Sequence, residues 1–324
     1  MIKKIRVEDA VGLPLLHDLT AITEDGFKGI MFKRGHIVKE SDVESLKKIG
    51  KDHIYAGDLE ANQVHEEDAV LEIAPLLAGD NIEITPVSEG KINLLSKVKG
   101  LFVVNRKLLK ALNEIGDYTI TCKRSYTTCD KGTRLVGARI VPLWTERRQV
   151  EKAKEILSEG PAFEVKEFKK LKVGCVITGD EVYYGRINDA FKPVLEEKLS
   201  HFDSEILGFE FLPDDEDRLV ESYKKFKEEG ADLVIFTGGM SVDPDDVTPT
   251  AIRKTGADMI VQGIPMQPGN MLTVAKDGKI YLMGVPGASI HSKITSFDFF
   301  LPRVFAGLDL KKEDFLEMAE GGLL

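Results

Sequence analysis

Ala231-Asp-Leu-Val-Ile-Phe236 runs directly into Thr237-Gly-Gly-Met-Ser-Val-Asp-Pro-Asp-Asp-Val-Thr-Pro249, and the character of the whole chain follows from that join. The first segment has the length and composition of a buried strand, and a helical pattern begins near Thr250. Two glycines at a strand end leave the backbone bare, so that a phosphate group can reach its amides. Three carboxylates follow at Asp243, Asp245 and Asp246. Acids beside a phosphate site repel the ligand unless a hard cation such as Mg²⁺ lies between them. The loop therefore reads either as a metal-assisted phosphate or pyrophosphate site, or as a plain crossover whose Gly and Asp residues form the turn and the helix cap.

The flanking sequence is regular. Leu171–Thr178, Ser204–Leu212 and Leu233–Phe236 read as strands. Asp189–Leu199, Glu216–Glu229 and the segment ending at Lys254 read as helices, with Asn188 or Asp189 and Gly230 at helix ends. Alternating strands and helices imply a parallel sheet with right-handed crossovers. Asp277-Gly278 between two short apolar runs marks a hairpin, and Phe297–Phe305 is a closing helix interrupted or kinked at Pro302. Ligands of such sheets bind at the carboxyl ends of the strands. That rule gathers the loops 178–185, 212–217, 237–249 and 284–288 on one rim and favours a functional role for Asp246.

Before residue 168 the pattern is mixed. Helices are expected at Asp42–Ile49, Arg106–Ile115 and Glu151–Glu159, and half-buried strands at Tyr118–Cys122 and Leu135–Val141. Gly160–Lys170 reads as a linker. The expected organisation is a mixed α/β region over 1–168, which could divide into two subdomains, then an α/β domain over 169–310 and a tail over 311–324.

With 44 basic and 54 acidic residues the net charge is −10, which argues against general nucleic-acid binding. No run approaches the roughly 20 apolar residues of a membrane span. The polar N-terminus is unlike a signal peptide, so a cytoplasmic location is expected. Cys122, Cys129 and Cys175 contain no CxxC pair, and Cys175 is expected in the core. The six histidines have no metal-ligand spacing. His17, beside Asp18, reads as a structural residue or an oriented base, and His291 follows the Pro286-Gly287 turn.

Over 171–310 the chain resembles the molybdopterin-binding domain of molybdenum-cofactor biosynthesis, the domain of molybdopterin adenylyltransferases, molybdenumtransferases and gephyrin-like fusions. Five landmarks in order carry the resemblance: Thr178-Gly-Asp-Glu181 with Gly185, Ile187 and Asn188; Pro213-Asp214; Thr237 through Asp246 with Val247-Thr-Pro249; Pro268-Gly269; and Gly284-Val-Pro-Gly287. Ala288 stands where the family pattern has an amide side chain, and the molybdenumtransferase MDGYA motif is not found in 1–170.

The resemblance implies a three-layer αβα domain with a mostly parallel sheet. It implies molybdopterin as ligand or substrate, Mg²⁺, ATP or molybdate as co-reactants, a client molybdoenzyme as a partner, and homo-oligomers. Asp246 would be a catalytic acid and the metal ligand, and Asp214 a second catalytic acid. Gly238, Gly239, Ser241 and Thr248 would meet the phosphate, with Thr237, Thr178, Gly179, Pro286 and Gly287 around it. Asp180 and Glu181 would hold the pterin edge. The expected activity is Mg²⁺-dependent adenylyl transfer to molybdopterin or adenylate-dependent molybdenum insertion. The alternatives are a non-catalytic carrier or sensor and a CinA-like nucleotide pyrophosphate hydrolase.

Overall fold

Strands that alternate with amphipathic helices bury both faces of a sheet, and the second half of the chain does so. The computed structural model describes residues 3–22, 26, 28–240 and 247–324. The chain forms two compact units, 1–98 with 102–165, and 99–101 with 166–324.

In the second unit the elements run β1 (Lys172–Thr178), α1 (Asp180–Tyr183), α2 (Phe191–Ser200), β2 (Glu205–Leu212), α3 (Glu216–Glu228), β3 (Leu233–Thr237), α4 (Thr248–Lys254), β4 (Asp258–Gln262), β5 (Thr273–Asp277), β6 (Ile280–Val285) and α5 (Ser296–Phe305). The six strands form one sheet in the order β2-β1-β3-β6-β5-β4. β2, β1, β3 and β6 are mutually parallel, and β5 and β4 join antiparallel at one edge. The strand alternation puts Val173, Cys175, Leu233, Ile235 and Met283 on one face, packed with Leu195 of α2 and Phe297 and Phe300 of α5. Val176, Val234, Phe236 and Leu282 lie on the other, with Leu219 and Phe226 of α3 and Ile252 of α4. Two cores on opposite faces of one sheet make the expected three-layer αβα domain.

Local chemistry sets the element ends. Asp189 accepts from the backbone N–H of Phe191 (2.9 Å) and Lys192 (2.8 Å) ahead of α2. Asp215 does the same for Asp217 and Arg218 ahead of α3, which Gly230 closes at φ +83°. Pro302 lies inside α5, which continues through it. Cys175 is fully buried, and burial pushes its thiol pKa up to about 12. Residues 312–316 form a further helix, and the Phe315 ring stacks on Phe300 at 4.1 Å between centroids.

The first unit holds an antiparallel sheet in the order Ile82–Ile84, Lys91–Ser96, Arg134–Ile140, Tyr118–Cys122. Helices Glu66–Leu77, Arg106–Asn113 and Arg147–Leu157 contribute to its core. A smaller cluster around Val7, Leu15, Leu46 and Ile54 is separate from it. Within the expected linker, Phe163–Glu167 is a strand with Phe163 and Val165 buried, because alternating apolar residues there find a core to face.

Candidate functional site

Four parallel strands end together, so the loops after β1, β2, β3 and β6 share one rim of the sheet. Thr178 closes β1, is buried, and places its hydroxyl 2.9 Å from Asp214 Oδ1 and 3.0 Å from the Pro213 carbonyl oxygen. The Asp180 N–H donates to Asp214 Oδ2 at 3.0 Å, and the Asp214 N–H returns to Asp180 Oδ1 at 3.2 Å. The Gly179 N–H donates to Leu212 O. Both oxygens of Asp214 are thus engaged by the loop of the neighbouring strand, and the two acids are oriented by backbone donors and held in register.

The glycine pair sits against this clasp. Gly238 has φ +83°, and a Cβ there would overlap the Thr178 carbonyl oxygen. Only a residue without a side chain fits, on both conformational and steric grounds. At Gly239, φ +51°, a Cβ would lie 3.1 Å from Thr248 Oγ1 and 3.6 Å from Asp214 Oδ1. Thr248, fully buried at the start of α4, donates its hydroxyl to Gly238 O (2.8 Å) and its N–H to Gly239 O (3.2 Å). The threonine thereby ties the two ends of the loop together. Thr237 is fully buried, and its hydroxyl has no hydrogen-bond partner among the described residues. Its backbone is in register with Ile177 and Val285, next to buried Pro286 and exposed Gly287.

Thr178, Gly179, Asp180, Asp214, Gly238, Gly239 and Thr248 are therefore brought together. Glu181 is exposed at the start of α1, with its Oε1 3.1 Å from where a Gly179 Cβ would stand. Ser241, Asp243, Asp245 and Asp246 lie outside the described residues.

Sequence reasoning missed the group beside Glu181. Tyr183 and Tyr184 are 42% and 61% exposed, and their rings meet edge-on at 5.1 Å. The Arg186 guanidinium lies 5.6 Å from the Tyr184 ring centroid and that of Arg218 6.0 Å from Tyr183, whose hydroxyl Arg218 contacts at 3.3 Å. Adjacent tyrosines followed by Gly-Arg in a polar loop were the available signal. This group adds ring faces and positive charge to a rim otherwise rich in acids.

Mg²⁺ needs near-octahedral oxygen ligation at roughly 2.0–2.1 Å. Among the described residues no group of three or more His, Cys, Asp or Glu side chains is arranged to hold a metal ion. Asp180 and Asp214 alone fall short of such a site. No described helix is long and apolar enough to cross a membrane.

Residues 174–306 match a family model described as a probable molybdopterin binding domain, and residues 4–58 match a domain of unknown function. The chain is 26% identical over 153 residues to the molybdopterin molybdenumtransferase of Synechococcus elongatus, a match covering 44% of this chain and 38% of that protein. It is 30% identical over 146 residues to that of Staphylococcus aureus strain Mu50, covering 43% of this chain and 34% of the relative. The chain thus spans well under half the length of these curated relatives. Among solved structures, the molybdopterin biosynthesis enzyme MoaB of Thermus thermophilus is 21% identical with a TM-score of 0.36, over 44% of this chain and 99% of that one.

Proposed function

We infer that residues 174–306, which match the molybdopterin-binding domain family, bind molybdopterin at the rim formed by β1, β2, β3 and β6, in a step of molybdenum-cofactor assembly. The observation that carries this reading is the convergence there of the glycine pair with the Asp180–Asp214 clasp and the Tyr183–Arg186 segment. Each part suits one part of a flat, anionic heterocycle. Gly238 and Gly239 let the strand-end loops approach closely, and their backbone N–H groups are the donors proposed to meet its phosphate. Arg186 and Arg218 offset its charge, and the exposed tyrosine rings offer faces for stacking. The Glu181 carboxylate, which has no partner among the described residues, would accept paired N–H donors from the ring edge, while Asp180 is partly committed to Asp214.

The reaction we propose is adenylyl transfer from ATP to the molybdopterin phosphate, whose oxygen displaces pyrophosphate from the α-phosphorus, or cleavage of the adenylate with release of AMP as molybdenum is inserted from molybdate. Both are displacements in which positioning supplies most of the acceleration. Asp214 acts as a positioning residue that fixes the strand-end loops around the reacting oxygens. Asp246 is the acid we assign to Mg²⁺, which when bound would neutralise charge on the phosphate oxygens. Ser241 and the Thr237 hydroxyl are the further polar groups proposed to meet the ligand. A second reading, binding without turnover, is favoured by one observation: both Asp214 oxygens already serve the loop clasp.

Isothermal titration of the full chain with molybdopterin, followed by addition of Mg²⁺ and ATP and analysis for adenylated product, tests the proposal. Saturable binding with product supports the transferase reading. Binding without product, even with preformed adenylate and molybdate, supports the carrier. Absence of binding overturns both and leaves nucleotide pyrophosphate hydrolysis to be assayed.

A further inference from the structure

The first unit contains a cavity of about 430 Å³ that none of the chemistry above uses. That volume falls within the range of small-molecule sites. Its walls combine Trp144 and Tyr55, whose rings meet edge-on at 6.1 Å and 75°, with Leu143. Three polar side chains open into the same space: Glu66, Arg139 and His17.

All three have unused hydrogen-bonding capacity. The Glu66 side chain is only 13% exposed, yet its one partner among the described residues is Arg139 Nη2, at 3.6 Å. That distance is too long for a good hydrogen bond, and a carboxylate has about four acceptor sites. Arg139 donates Nε–H to Ile140 O at 3.4 Å, which leaves N–H groups of its fork available. Among the described residues His17 Nδ1 is buried without a partner. A mostly buried carboxylate and a buried ring nitrogen left short of partners are costly unless something else meets them. Both residues line the cavity.

The order of these groups selects a ligand. A carboxylate accepts two adjacent N–H donors, and a guanidinium beside it donates to an oxygen. The complementary edge is amino, ring N–H, carbonyl in sequence. That is the edge of guanine and of a pterin, and it is absent from adenine. An indole beside it supplies the face on which such a bicycle stacks. We propose that this cavity binds a planar bicyclic heterocycle through an amino, ring N–H, carbonyl edge, with Glu66 accepting from the two nitrogens, Arg139 donating to the carbonyl and Trp144 stacking on the ring. His17 then provides one further contact to a substituent.

Trp144 is the only tryptophan in the chain, so its fluorescence reports on this cavity. The full chain is titrated with guanosine, inosine and adenosine while that emission is followed. A pterin absorbs where indole emits and would quench it from elsewhere, so neopterin is read by displacement of guanosine and by calorimetry. Saturable binding of guanosine, with inosine and adenosine at least tenfold weaker, is expected, because a site built for a donor rejects the analogue that lacks it. Glu66→Gln is expected to weaken guanosine at least tenfold with an unchanged far-ultraviolet circular dichroism spectrum.

Calorimetric binding of neopterin that Glu66→Gln abolishes, without binding of guanosine, supports the same site and assigns it to a pterin source. Guanosine without neopterin assigns it to a nucleoside source. Equal affinity for adenosine, or no binding of either heterocycle, overturns the proposal. Should Glu66→Gln fail to fold, Arg139→Met supplies the same test. Asp214→Ala, in the other unit, leaves guanosine binding intact, so this proposal and the rim site fail independently.

Discussion

At the residue scale, two neighbouring positions show how differently a glycine and an acid are constrained. Gly238 is held by geometry: its φ of +83° and the Thr178 carbonyl oxygen both exclude a side chain. Gly238→Ala is expected to cost at least about 3 kcal/mol, combining left-handed strain with overlap of backbone atoms. Gly278, at φ +60° with open space around it, should lose only about 1–2 kcal/mol as Ala. Equal midpoints for the two variants in urea would contradict the close approach of loops 178 and 238. Asp214 is held by hydrogen bonds instead. Removing its carboxylate leaves the Thr178 hydroxyl a second acceptor in Pro213 O, while water can reach the exposed Asp180. Asp214→Ala should therefore cost only about 1 kcal/mol of stability. Its larger effect is expected on molybdopterin affinity, roughly tenfold weaker by calorimetry for about 1.4 kcal/mol of lost loop positioning. Asp214→Asn keeps one acceptor and turns an amide donor toward a second donor, so it should fall between the parent chain and Asp214→Ala in both measurements.

At the element scale, the helix Glu66–Leu77 explains both what was hidden in the sequence and a pH dependence. Its N-cap is His65, whose Nδ1 accepts from the Glu67 N–H at 3.1 Å while Nε2 meets Leu16 O at 2.5 Å. The first contact requires an unprotonated Nδ1, so the proton sits on Nε2 and the ring is neutral. Sequence signals for a helix start are Ser, Thr, Asp or Asn, so a histidine cap gives none, and Pro75 inside the helix masked its length. The strand β4 was hidden for a related reason. Its burial is slight except at Val261, so its residues carry little apolar alternation. Asp189, Asp215 and Gly230, by contrast, stand at the ends where cap chemistry leads one to expect them. For His65, burial first and Arg34 second lower the pKa below 6.5. Below pH 6.5 the unfolded chain takes up a proton that the folded ring resists, so the stabilisation is complete above that pH and declines as pH falls toward the folded value. His17, lowered chiefly by burial, acts in the same direction. The urea midpoint of the first unit should drop between pH 6.5 and 5.5. His65→Ala should reduce that slope while costing about 1–2 kcal/mol at pH 7.5. A slope unchanged by the substitution would show that other groups set it.

At the scale of the whole molecule, legibility follows the range of the contacts. The second unit was readable because buried parallel strands are continuous apolar runs, and each is followed by a helix whose period is distinct from theirs. The rim then followed from topology alone, and with it the meeting of Thr178, Asp214 and Gly238, which are far apart in sequence. The hydrogen bonds that divide their labour did not follow, because bonding partners depend on side-chain placement rather than on pattern. The first unit was less readable. Its strands are short and pair antiparallel across long separations, as Lys91–Ser96 does with Arg134–Ile140, and its cavity draws residues from 17 to 144. Each unit closes apolar clusters of its own, which leads to a last expectation. Trp144 reports on the first unit alone, whereas far-ultraviolet circular dichroism reports on both. In urea the two signals should not coincide, since two cores need not melt together. Molybdopterin at 100 times its dissociation constant adds about 2.7 kcal/mol to whatever binds it. If the rim is the site, that increment should move the circular dichroism transition and leave the Trp144 transition in place. A guanosine-type ligand in the Glu66 cavity should move the Trp144 transition together with the part of the circular dichroism change that accompanies it, and leave the remainder in place. Coincident transitions that shift together with either ligand would mean that the units unfold as one cooperative body, and would remove the basis for assigning a ligand to each unit by its melting.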